Sequence, residues 1–505
     1  SGAFGHARRE GIPMNGDSTN RRVRPSTLGA WTVAAAVGFG SQLAAGPEVL
    51  AAQQAEARIT FTEDVAPILQ QRCARCHRPG TAAPMALLTY EDARRYAPRI
   101  RAKVSTREMP PWHIDRTIGI QEFRNDISLT DEEIETLLRW VDSGAPEGDP
   151  ALMPPPIRWQ DAEDRWEFEG VLGEPPDMVV SSPRYRVIAN GRDQWPVLEV
   201  TLETGRAQKR WIRAAELRPA DPGTRAVFHH ANPTMIQNGS GQPVGHSAVG
   251  TVGYIYPDDA GQPITPGEVT FRFDMHLYPR EEDTDAVLQL GLWLFPEDAP
   301  PPFETPGEVI FEASQSTGFG FEQDVSPRSQ ALGATRGSGG GRGGVSSDPQ
   351  FVRQADLLIP PNSMALYRGV YVLDRPARIH SVRPHMHLRG KNQVIEAVYP
   401  DGRWEVLNKI DWDQNWQTAF LYEPHAMPLL PKGTVLLVTN LFDNTAENPK
   451  NPDHRVWVTR GDRTIDEMSH TRLGITYFDR EEDFERLVRE RERLLTEAAE
   501  TPIAP

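Results

Sequence analysis

Arg383-Pro384-His385-Met386-His387-Leu388-Arg389-Gly390-Lys391 is the stretch on which the reading of the chain turns. His385 and His387 stand two apart, and on a β-strand positions i and i+2 share a face. Two imidazoles on one face make a ready pair of metal ligands. An HxH pair alone is a weak signal, because paired histidines also serve as ordinary core or surface residues. Its weight comes from its company: adjacent His229 and His230, a later His276, Met468 in Asp-Glu-Met-Ser-His, and Cys73-Ala-Arg-Cys76-His77 near the N-terminus.

The chain has 505 residues, enough for roughly three domains. Gly 41 and Pro 45 suit many short strands and turns rather than a helical protein. Lys and Arg number 54 against 70 Asp and Glu, a net −16, which argues against nucleic acid and anionic membrane surfaces as partners. Residues 1–51 read as an export signal: Arg21, Arg22 and Arg24 precede an apolar run from Leu28 to Ala45, and Val49-Leu50-Ala51 suits cleavage. The expected location is therefore periplasmic or secreted, with no membrane span after cleavage; the alternative is a retained membrane anchor, since the run is about 18 residues long, the lower limit for a span.

Residues 57–150 form the first expected domain. A short helix capped by Thr62 leads into Cys73-Ala-Arg-Cys76-His77. Two thiols at this spacing can form thioethers to haem vinyl groups, and the adjacent His77 becomes an iron ligand. The chain's only cysteines lie in this motif, so no second pair exists to complete a zinc site. Met109, in Met-Pro-Pro-Trp, is the expected sixth ligand, with His113 and Met85 as alternatives. A last helix from Thr130 to Ser143 has a capping box, Thr130 with Glu133. This order resembles a class I cytochrome c, which implies covalent haem c in a small all-α domain.

Pro154-Pro155-Pro156 marks a stiff linker. Beyond it, short alternating runs between Pro and Gly signals predict two all-β sandwich domains, at 158–320 and 351–480. Residues 321–350 are a Gly-rich linker, and 481–505 an amphipathic helix and tail. His229 and His230 would point to opposite faces of a regular strand, so sharing one metal requires a bulge or different ring nitrogens. A weak repeat pairs Arg218-Pro219 before the first histidines with Arg383-Pro384 before the second.

Taken together, these features resemble the copper type II, ascorbate-dependent monooxygenases, the family of peptidylglycine α-hydroxylating and dopamine β-monooxygenases. The resemblance covers about residues 160 to 480 and implies two copper ions, one per sandwich. The first would be held by His229, His230 and His276, the second by His385, His387 and Met468. A thioether favours Cu(I), which suits the second site to O₂, and the first to storing an electron. The likeness also implies Arg383 as a contact for a carboxylate substrate; Arg472 nearby would suit an anionic group. The fused haem implies electrons entering there from an external donor, in place of ascorbate, and reaching the second copper through the first. The resulting expectation is a monooxygenase that hydroxylates a C–H bond of a small organic substrate with O₂. The alternative is a non-catalytic protein of haem and copper electron transfer or copper handling.

Overall fold

Three capped helices open the structure, a computed structural model that describes residues 58–79, 83–157, 165–248, 251–313, 315–316 and 357–500. The export segment 1–51 and the linker 321–350 lie outside the described residues. The first helical stretch runs unbroken from Phe61 to Cys73. Its cap is Thr60, whose N–H bonds the Asp64 carboxylate at 2.7 Å, while Thr62, expected as the cap, is buried inside. Helix Tyr90–Ser105 starts at a Thr89/Asp92 capping box and buries Ala93, Ala97, Ile100 and Val104 at helical spacing. Helix Asp131–Asp142 has the expected Thr130/Glu133 box and buries Leu137 and Trp140. The three share one apolar core that also takes in Cys73.

This helical region is neither wholly α nor separate. Strand Ile114–Gly119, between the Met109 loop and the last helix, pairs with Trp404–Asp411 at the edge of a distant sheet. Gly119 has φ +73°, and a Cβ there would meet Leu407 O at 2.3 Å, so glycine permits the close approach. Trp112, Ile114, Ile120 and Phe123 join the apolar core of the last domain. These four side chains are thus buried by the neighbouring domain rather than by the three-helix core.

The rest is β-sheet. The first sandwich packs a four-stranded antiparallel sheet against a six-stranded one. The first is ordered Val197–Glu203, Glu268–Leu277, Phe228–Gln237, Ser240–Pro243; the second is built around Arg210–Pro219 and Leu288–Leu294. Between them lies a core that includes Ile212, Met235, Phe271, Phe273 and Leu290. The second sandwich has a six-stranded sheet centred on Gly390–Val398 and Val435–Asp443. Its five-stranded partner contains Glu308–Glu312, His470–Tyr477 and Ala377–His385. Glu308–Glu312 and Gln315–Ser316 therefore belong to the second sandwich, which begins near residue 308 rather than 351. The alternation of a strand does not say which sheet receives it, so the boundary had been placed at the Gly-rich tract. The Arg-Pro repeat also dissolves. Arg218-Pro219 ends a strand of the sheet opposite His229, whereas Arg383-Pro384 share a strand with His385.

The two sandwiches are clamped together. Arg378 on one binds Asp259 on the other through two nitrogens, at 2.9 and 2.5 Å. Phe303, Phe478 and Phe484 close the seam, the last from the C-terminal helix Glu481–Glu500. Among the described residues no helix is long and apolar enough to cross a membrane.

Candidate metal centres

His229, His230 and His276 converge. His276 lies opposite His230 on the neighbouring strand, and the register slips by one before Leu277 meets Phe228. His229 is thus the extra residue of a β-bulge, which turns its side chain toward the face that His230 occupies. His229 Nδ1 stands 3.0 Å from His230 Nδ1 and 3.2 Å from His276 Nδ1. Nitrogens bound to one metal at roughly 2.0–2.1 Å would be separated by about this much at angles between square and trigonal. Asp193 Oδ2 lies 3.3 Å from His276 Nε2, and Trp195 stacks on the ring at 4.8 Å. Asp193 therefore fixes the ring with Nδ1 facing inward. Burial holds His229 down to about 4 and lowers His230 and His276 as well. All three are neutral at pH 7, with lone pairs free for a cation.

The second cluster is assembled differently. His385 is the last residue of strand Ala377–His385, and His387 lies beyond the strand. Pleat spacing alone therefore does not bring the pair together. His385 Nδ1 donates to Gln417 Oε1 at 3.0 Å, and His387 Nδ1 to the Asp466 carbonyl at 3.1 Å. Each tautomer leaves Nε2 with its lone pair, and the rings sit 5.4 Å apart at 89°. The buried Glu467 carboxylate accepts from three backbone N–H groups: His387 at 2.9 Å, Arg389 at 2.6 Å and Met468 at 3.3 Å. It thereby draws the Met468 segment against the His387 loop, across 80 residues of sequence. Trp412 Nε1 donates to His387 O at 2.9 Å. Burial lowers His385 well below its ordinary value and His387 to about 4. The clusters approach one junction: the His246 ring lies 6.5 Å from that of His230 and against the Gln417 backbone, and Gln417 holds His385.

Arg383 is not an open contact. It is 1% exposed and paired to Glu308 through Nε at 3.0 Å and through Nη2, while Tyr254 of the first sandwich donates to the same carboxylate. The guanidinium serves the seam between sandwiches. Arg472 lies beside it in the ladder, buried, and its Nε finds no hydrogen-bond acceptor. His470 stacks on His385 at 5.8 Å and stands 3.1 Å from Glu312.

In the helical region, Cys73 ends the first helix and Cys76 sits in the turn after it, and His77 Nδ1 donates to the Met85 carbonyl at 3.2 Å. That leaves His77 Nε2 for a metal. Burial pushes the Cys73 thiol up to about 12, the reverse of the activated thiolate that a redox CxxC requires. Met109, Pro110 and Trp112 line a cavity with Leu129 and Ile134, and both of these also belong to the core containing Cys73. His113, an alternative ligand, instead lies beside Asp411 and Asp413 of the second sandwich.

The orienting groups Asp193, Gln417 and Trp412 were not anticipated from the sequence. Glu467 carried one signal, its place directly before Met468.

No protein-family model matches the chain, and no curated protein sequence does. Solved structures with remote likeness include a Paenibacillus xanthan lyase, at 11% identity over 65% of this chain and 28% of that one, with a TM-score of 0.15. The chain thus spans little more than a quarter of that lyase. A peptide-N(4)-(N-acetyl-β-D-glucosaminyl) asparagine amidase shows 8% identity over 60% and 97%, with a TM-score of 0.26. Bacillus subtilis oxalate decarboxylase shows 10% over 62% and 88%, with a TM-score of 0.12. None of these similarities reaches the level at which a shared fold carries an argument.

Proposed function

We propose that this chain is an exported haem- and copper-dependent monooxygenase, with an N-terminal domain of cytochrome c type and two copper-binding sandwiches. The observation that carries the reading is the pair of neutral histidine clusters at one junction. One presents three Nδ1 atoms, and the other two Nε2 atoms beside a methionine segment. Copper held there supplies one-electron chemistry and O₂ activation, and haem c supplies the electrons. His229, His230 and His276 fit a copper through converging neutral nitrogens, and His385 and His387 through nitrogens fixed by Gln417 and Asp466, with Met468 adding a thioether. Cys73, Cys76, His77 and Met109 would hold the haem.

The chain's own residues do the positioning. Asp193 and Gln417 set ring orientation, Glu467 ties Met468 to His387, and the packed sandwiches exclude water from His385. With Arg383 committed to Glu308, Arg472 is the guanidinium that suits an anionic group on a small organic substrate. A one-electron donor outside this chain reduces the haem.

The first test is metal content: the reading expects one haem and two coppers per chain. O₂ uptake coupled to a hydroxylated product is expected with a chemical reductant. A Met468→Ala protein that hydroxylates at the full rate would overturn the assignment of the second copper. Metal binding and haem reduction without substrate-dependent O₂ uptake would favour a non-catalytic electron-transfer or copper-handling role.

A further inference from the structure

The stretch Gln417–Phe420 touches His385 directly and lies against Trp112 and His246, which adjoin the other two centres. Phe420 is buried, and its ring lies 4.8 Å from Trp112. Trp112 is three residues from Met109 and lines the same cavity. Asn125, also from the helical region, clamps the stretch by donating to Ala419 O at 2.8 Å and accepting from Leu421 N at 2.9 Å. At its other end, Gln417 is 2% exposed and holds His385 Nδ1 at 3.0 Å. His246, fully buried in the first sandwich, lies against the Gln417 backbone, and its ring is 6.5 Å from that of His230. Toward the first sandwich, Arg75 of the haem-attachment turn pairs with Glu167, both about half exposed, and such pairs hold little.

Resting on the function proposed above, we infer that Gln417–Phe420 is the electron inlet of the His385/His387/Met468 centre, receiving electrons from the Met109 side of the haem through Trp112. Electron tunnelling weakens steeply with distance and crosses packed or bonded atoms far better than gaps. The contiguous path therefore runs to the second sandwich first, the reverse of the order that the sequence suggested. The step moves one electron: haem Fe(II) becomes Fe(III) and Cu(II) becomes Cu(I), with no proton or bond changing hands. A one-electron reductant restores the haem. His246 then joins this centre to the three-histidine one.

The test follows haem absorbance anaerobically, after limiting dithionite is mixed with oxidised, copper-loaded protein. Copper EPR reports which centre is reduced. Rapid haem reoxidation is expected to survive His229→Ala and to slow by an order of magnitude in His385→Ala. Trp112→Leu is expected to slow it similarly, with haem spectrum and copper content unchanged. Trp112→Phe should restore it, and Glu167→Ala should leave it at the parent rate. His246→Ala should slow only the later reduction of the three-histidine copper. First reduction of that copper, or a parent rate in Trp112→Leu, overturns the inlet while leaving the function standing. Fewer than two coppers per haem overturns both.

Discussion

The two histidine clusters look alike in the sequence but are held by different means. The three-histidine cluster is written into one β-ladder: two neighbouring strands and a bulge bring His229 Nδ1 within 3.2 Å of a nitrogen of each of the other two rings. His229 and His230 are half-buried, and Trp195 over His276 is 43% exposed. The second cluster is 5–8% exposed at its histidines and is split between the His387 loop and the Met468 segment. The ladder between their strands ends at the His385–His470 pair, and beyond it Glu467 ties the two segments, with help from the Asp466 carbonyl. A ladder sets geometry through many redundant bonds, whereas a single carboxylate concentrates it in one residue.

The largest break in that comparison should therefore come from Glu467→Ala. Three buried N–H groups would lose their acceptor, at a cost on the order of 3 kcal/mol. Copper content is expected to fall from two to one per chain, with the three-histidine copper kept. Urea unfolding and metal analysis on one preparation check both. Retention of both coppers would show that Glu467 does not hold Met468 in place. The converse variant, His229→Ala, is expected to lose one copper with under about 1 kcal/mol of stability, because its ring is partly solvated.

Acid should weaken the apoprotein through both clusters. His229 and His387 have folded pKa values near 4 against an ordinary 6.5, chiefly from burial. A depressed histidine takes its proton in the unfolded chain first. Stability is therefore full above 6.5, falls as pH drops from 6.5 towards 4, and loses nothing further from these groups below that. Each contributes a slope of about 1.4 kcal/mol per pH unit in that window. Copper held as proposed would take the neutral rings of the folded state alone, and adding it should move the loss to lower pH. Urea midpoints against pH, with and without copper, measure this; a flat profile between 6.5 and 4 would remove the claim that these rings are buried neutral.

Much of the β architecture was legible because alternation and turn residues report burial directly. Arg210–Pro219, Glu268–Leu277 and Val435–Asp443 fall within the two stretches where the alternation placed sandwiches. Strand Ile114–Gly119 was not legible. Only Ile114 is buried, and four of its six residues are exposed, as an edge strand allows. Nor could spacing reveal that His387 lies past the strand end or that Arg383 faces Glu308, since both facts depend on chain brought from elsewhere. Gln417 and Asp193 are single polar residues in stretches without period, and only the fold shows what they touch.

Asp193 offers the finest test of the contrast. Its carboxylate is 40% exposed, unlike Glu467, which is fully buried, so Asp193→Ala should leave folding nearly unchanged. Its effect should fall on the orientation of His276, where loss of such a partner typically weakens metal binding about 10–100-fold. Asn in its place keeps a carbonyl oxygen for Nε2–H and should recover most of the affinity. Copper titration of the parent and the two variants at fixed pH, followed by EPR, separates the two centres. Equal weakening of both coppers would mean that the junction couples them mechanically; weakening confined to the three-histidine centre would leave the ladder and the carboxylate clasp as independent supports.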